Sequence, residues 1–142
     1  MVVYHNEDIK FPFKGKRLNN RWLSAVASSE GKRLCDLSIV FCSDSYLLDI
    51  NKRFLQHDYY TDIITFDYCE GERVSGDLLI SVDSVRANSL LYDSVFADEL
   101  DRVMVHGLLH LLGYDDHTPD DIAIMRSKED HYVALKKQML EG

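Results

Sequence analysis

The stretch Val103-Met104-Val105-His106-Gly107-Leu108-Leu109-His110-Leu111-Leu112-Gly113 constrains this chain most. Nearly every residue in it is apolar, yet it carries two histidines four positions apart. A helix places such a pair on one face, one turn from each other. Burying two unpartnered imidazoles among valines and leucines is costly. A metal ion, or an equally specific polar partner, removes that cost. Gly113 follows the last apolar helical residue and reads as a helix stop. The chain can turn back there and bring a third ligand, Asp116 or His117, to the same point. Two helical histidines and one returning ligand leave the fourth position of a tetrahedral zinc site open, which separates a catalytic site from a structural one. The expectation is one zinc ion per chain.

The chain has 142 residues, enough for one domain spanning 1–142, and an apolar fraction of 46% can fill its core. No apolar run approaches the roughly 18 residues needed to span a bilayer. The segment Met1-Val2-Val3-Tyr4-His5-Asn6-Glu7-Asp8 has neither a basic start nor a long apolar run, so no secretory signal is expected. Cys35, Cys42 and Cys69 are odd in number and form no C-x-x-C pair. They fit reduced, buried thiols in a cytoplasmic protein.

The net charge of −8 argues against nucleic acid as a partner, but the charge is uneven. Residues 1–57 carry nine Lys and Arg against six Asp and Glu, a balance of +3; residues 58–142 carry seven against eighteen, a balance of −11. Seven of the basic residues fall between Lys10 and Arg33. Because the Debye length is only about 8 Å at physiological salt, a local basic face can bind phosphates on an acidic protein. Lys14, Lys16, Arg17 and Arg21 are the candidate RNA-binding residues. The bland alternative is a solvated helix face.

Apolar spacing and turn signals predict the elements. Val2 to Tyr4 reads as a short strand and Leu18 to Ala27 as a helix ended by Gly31. Leu34 to Cys42 reads as a strand. Ser43-Asp44 caps a helix running through Phe54. Thr61 to Phe66 and Gly76 to Ser81 read as strands around a turn at Glu70-Gly71-Glu72. Helices follow from Asp83 to Leu91 and from Asp98 to Leu112. Thr118-Pro119-Asp120-Asp121 starts the last helix, with a Thr cap, a first-turn Pro and first-turn acids; it runs through Leu135. The order is α/β or α+β, a single compact domain with a mixed sheet of about four strands and about five helices. Trp22 and Phe54 are expected in the core.

Several separated segments now resemble one family. His106-Gly107-Leu108-Leu109-His110-Leu111-Leu112-Gly113-Tyr114-Asp115 is similar to the H-G-x-L-H-L-x-G-Y-D segment of the YbeY family of bacterial rRNA-maturation endoribonucleases. Thr61-Asp62-Ile63-Ile64-Thr65-Phe66 is similar to its T-D-V-L-S-F strand, and Gly76 to Ser81 to its G-D-I-x-I-S strand. Asn51 and Asp58 fall on its L-N-x-x-(Y/F)-R-x-x-D segment. The resemblance covers most of the chain. It implies a small α/β fold with a zincin-like metal helix, a three-ligand zinc site and cleavage of single-stranded RNA. It also implies a role in maturing the 3′ end of the small-subunit rRNA, with the ribosomal small subunit as partner.

Two positions depart from that pattern. The family's third ligand is usually a His six positions after the second; that register holds Asp116 here, and the histidine follows at His117. Zinc accepts either donor at nearly the same distance. Adjacent residues on an extended loop point to opposite sides, so only one should ligate well. Register favours Asp116, with His117 as a nearby proton carrier or a plain loop residue. The family's Arg falls on Leu55, which removes a phosphate anchor. His57, two residues on, is a candidate catalytic substitute beside His106 and His110.

The competing readings follow from the same residues. Zinc peptidases of the H-E-x-x-H type need a Glu as general base, and here that position is Gly107. A metallopeptidase-like hydrolase is therefore disfavoured. Leu55 in place of Arg suits a ribosome-assembly or RNA-binding factor that cuts nothing.

Overall fold

Four strands, β1 (Val2–Asn6), β2 (Arg33–Cys42), β3 (Ile63–Asp67) and β4 (Arg73–Ser81), form one sheet in the order β1-β2-β4-β3 in the computed structural model, which describes residues 1–56 and 61–142. β1 and β4 both run parallel to β2, and β3 is antiparallel to β4 at the sheet edge. The helices are α1 (Lys16–Ser29), α2 (Asp44–Phe54), α3 (Val82–Leu91), α4 (Phe96–Leu111) and α5 (Pro119–Glu141). The described residues form an α+β fold with four strands and five helices, as expected from the sequence. Boundaries moved by a few residues: β4 begins three residues earlier than the apolar run, and α5 continues to Glu141.

Strand alternation divides the core. Leu37, Ile39, Phe41, Val74, Leu78 and Ile80 face α1 and α4 and form the main cluster with Trp22, Met104, Leu108 and Leu109. Val40, Ile64 and Leu79 face the other way, onto Leu47 of α2. α5 packs over α4 and α1, so α4 lies between the sheet and α5. That position accounts for its apolar character on nearly every side.

Two glycines set how closely α4 approaches the sheet. A Cβ on Gly107 would lie 2.6 Å from Ile63 Cδ1 and 2.9 Å from Leu78 Cδ2. A Cβ on Gly76 would lie 2.5 Å from the Phe66 carbonyl oxygen and 2.9 Å from Leu111 Cδ1. Gly107 therefore faces β3 and β4, which presses α4 onto the edge strand. Trp22 is fully buried, and its indole donates to the Tyr132 carbonyl at 2.8 Å. Phe54 corrects the expectation of a core residue. Its side chain is exposed, because α2 buries only Leu47 and Asn51, and its ring meets Phe66 edge-on on the edge strand. Cys42 is buried, whereas Cys35 and Cys69 are half-buried.

Candidate metal centre

α4 ends as the sequence predicts. Gly113 adopts φ 104°, its N–H donates to the His110 carbonyl at 3.0 Å, and the Tyr114 N–H donates to the Leu109 carbonyl at 3.0 Å. Those two bonds form a Schellman cap, which only a residue at ease with positive φ closes without strain. The cap reverses the chain and returns Asp116 to the face that carries His106 and His110. The two imidazole Nε2 atoms lie 3.0 Å apart, and Asp116 Oδ2 lies 3.4 Å from each. Among the described residues, these three are the group whose donor atoms come close enough together for one metal ion.

The tautomers are set from behind. His110 Nδ1 lies 2.9 Å from the Tyr114 carbonyl, which can only accept, so the ring proton sits on Nδ1. His106 Nδ1 lies 2.6 Å from Glu129 Oε2, a carboxylate acceptor. Glu129 is itself fixed by Arg102, at 3.0 Å, and Arg102 also pairs with Asp130 at 2.6 Å. Both Nε2 lone pairs therefore point at each other, with a carboxylate oxygen as the third vertex. Such a triangle of donors requires a cation, or a proton in its place. Burial pulls the His106 imidazole down, but Glu129, Asp116 and Asp62 outweigh it and hold it above its ordinary value. The triangle also has the right size. A tetrahedral zinc ion with bonds of about 2.0–2.1 Å spaces its donors about 3.3–3.4 Å apart.

The centre lines a cleft of about 310 Å³ between α4 and the edge strand β3, with Asn51, Leu55, Thr61, Asp62 and Thr65 around it. A family model described as endoribonuclease YbeY matches residues 2–136. This chain belongs to the endoribonuclease YbeY family. The endoribonuclease YbeY of Bacteroides thetaiotaomicron is 47% identical over 135 residues, covering 95% of this chain and 98% of the relative. That of Porphyromonas gingivalis is 43% identical over 139 residues, covering 98% and 92%. The solution structure of TM1509 from Thermotoga maritima superposes with a TM-score of 0.68 at 25% identity, covering 99% of this chain and 92% of that one.

Against the YbeY-family pattern, the register that points to Asp116 coincides with the residue at the triangle. His117 is exposed and lies outside it. Leu55, where the resemblance implies an Arg, is 39% exposed and lines the cleft; among the described residues no lysine or arginine does so. His57 and Asp58 lie outside the described residues. Lys14, Lys16, Arg17 and Arg21 are all exposed, just before and along the first turns of α1. Glu30, at the other end of that helix, accepts from Tyr114 of the metal loop at 2.5 Å. At 1.5 Å per residue, Lys16 and Arg21 stand about 21 and 14 Å from Glu30 along the axis, well away from the metal loop.

Sequence reasoning missed Glu129. Its signal was a carboxylate in the buried stripe of α5, between Met125 and Tyr132. It also missed Asp62, half-buried at the cleft beside His106, where partial burial holds its carboxyl above the usual range and His106 opposes the shift. Among the described residues, no helix is long and apolar enough to cross a membrane.

Proposed function

We propose that this chain is a zinc-dependent endoribonuclease that cleaves single-stranded RNA, acting in the cytoplasm on the 3′ end of the small-subunit rRNA. The observation that carries the reading is the donor triangle of His106, His110 and Asp116, open on its cleft side. Family membership supports RNA as the substrate. When bound, zinc supplies Lewis acidity to a phosphodiester oxygen and to an attacking water. Glu129 and the Tyr114 carbonyl lock the two imidazoles so that Nε2 faces the ion. The Asp62 carboxyl stands in the same cleft within the field of His106, in position to hold a proton during attack. In this proposal His57, two residues on in sequence, substitutes in part for the cation that Leu55 does not provide.

Lys14, Lys16, Arg17 and Arg21 form the RNA-binding face in this proposal, engaging the strand beyond the cleft. Affinity should then fall steeply with salt, and charge reversal at Lys16 and Arg17 should weaken binding. A peptidase reading loses its base, since position 107 points into the sheet with no room for a carboxylate. One observation favours a second reading, an assembly factor that binds RNA without cutting it: the cleft shows an apolar Leu55 and no guanidinium among the described residues. Incubating zinc-loaded protein with single-stranded RNA separates the two. The nuclease reading requires cleavage that a chelator stops and that His106→Ala with His110→Ala abolishes. Intact RNA across zinc, manganese and magnesium, with binding retained, would leave the assembly factor.

A further inference from the structure

A second cavity, of about 440 Å³, lies on the Glu129 side of His106 and shares Asp62 and His106 with the cleft. Its wall includes Glu99, which is only 9% exposed. The Glu99 side chain has no hydrogen-bond or ion-pair partner among the described residues, and no polar atom there is sealed off, so its carboxylate opens into the cavity. A buried carboxylate left without donors is costly, and such groups are almost always satisfied. Glu99 takes its donors through the cavity opening, from water or from a ligand that enters and displaces it.

The charges decide which ligand. Asp62, Glu99 and Glu129 line the interior, and Arg102 is already taken by Glu129 and Asp130. A phosphate is repelled there. A neutral heterocycle carrying N–H groups is not, and a cavity of this size accommodates one. At the lip stand Tyr92, 68% exposed, and Arg126, exposed and without an ion pair among the described residues. An exposed ring is a stacking platform for an unpaired base, and a free guanidinium suits the phosphate next to it.

We propose that this cavity is a nucleobase subsite that takes an unpaired guanine, with Glu99 accepting from N1–H and N2–H, Tyr92 stacking on the ring and Arg126 holding the adjacent phosphate. Guanine is the base that presents two adjacent N–H donors to both oxygens of one carboxylate; adenine, cytosine and uracil present one such group. A guanine already paired in a duplex has this edge occupied, so the subsite selects single strands. The inference rests on the RNA-cleaving reading of the neighbouring centre.

The test titrates zinc-loaded, isotope-labelled protein with the 5′-monophosphates of guanosine, inosine, adenosine, cytidine and uridine, following backbone amide shifts. Guanosine monophosphate should bind about tenfold more tightly than inosine monophosphate, which lacks the N2 amine, with shifts centred on residues 88–94 and 126. Glu99→Gln should erase that preference. Tyr92→Ala, at an exposed site that does not threaten the fold, should weaken all five alike. Equal affinities for guanosine and inosine monophosphates, an unchanged preference in Glu99→Gln, or shifts confined elsewhere would overturn the subsite. Cleavage of an oligoribonucleotide with one guanine, against its inosine twin, keeps the two proposals apart. Cutting without base preference sinks the subsite alone; base preference in binding without cutting by any metal sinks the nuclease alone.

Discussion

Asp116 and His117 are adjacent, and only one of them meets the imidazoles. The difference has a direct consequence for metal affinity. Glu129 acts through His106, and losing such a partner typically costs 10–100-fold, about 1.4–2.7 kcal/mol. Asp116→Ala should therefore weaken zinc by more than that, Glu129→Ala by about that amount, and His117→Ala hardly at all. Competition against a chromogenic chelator ranks the three. If His117→Ala lost the metal while Asp116→Ala kept it, the loop in solution would have to bulge by one residue after Tyr114.

At the scale of the elements, α4 owes its position to glycines. Gly76→Ala would drive a Cβ into the Phe66 carbonyl of β3, a backbone atom that cannot rotate away. Overpacking of this kind costs about 1–3 kcal/mol, and the chemical denaturation midpoint should fall accordingly. Gly107→Ala should be milder. Its nearest neighbours are the methyl ends of Ile63 and Leu78, and alanine favours a helix by about 1 kcal/mol over glycine. A loss for Gly107→Ala as large as for Gly76→Ala would show that the side chains around α4 cannot give way. Thr118 accepts from the Asp121 N–H at 3.1 Å as the cap of α5, and Thr118→Ala should cost about 1 kcal/mol in the same assay.

Over the whole molecule, Glu30 ties three elements together. From the end of α1 it accepts from Tyr114 on the metal loop and from Tyr132 and Lys128 on α5. Burial pushes its carboxyl up, but the three donors outweigh burial and hold it below its ordinary value. A group lowered by folding contributes fully above the unfolded value, about 4.3 for glutamate, and loses that contribution as pH falls through the folded value. Urea midpoints of the parent chain and Glu30→Gln should therefore converge as pH drops below about 4. A constant gap down to pH 3 would mean that the ionised carboxylate adds nothing. Zinc binding should also reach the whole fold. A ligand at 100 times its Kd stabilises by about 2.7 kcal/mol, a rise in Tm of roughly 5–10 °C for a domain of this size. Chelation that removed the metal without moving Tm would make the site incidental to stability.

The features legible in the sequence are those that short-range rules write. The helical spacing of His106 and His110, the glycine stop at Gly113, the Thr118-Pro119 start of α5 and the strand-and-helix order each depend on residues within one or two turns. What the sequence left open depends on chain segments far apart. Glu129 meets His106 across 23 positions, and its register in α5 becomes a function only when α5 packs over α4. Leu47 and Phe54 both belong to the apolar spacing of α2, yet one is buried and the other exposed, because the sheet covers part of that helix and not all of it. The composition of α3 and α4 gives no hint that Glu99 and Tyr92 share a cavity. Local sequence determined which elements form and where they stop, because backbone hydrogen bonds and side-chain spacing act over a few residues. Tertiary structure alone decided which carboxylates face the imidazoles, because that follows from how two helices and a returning loop pack.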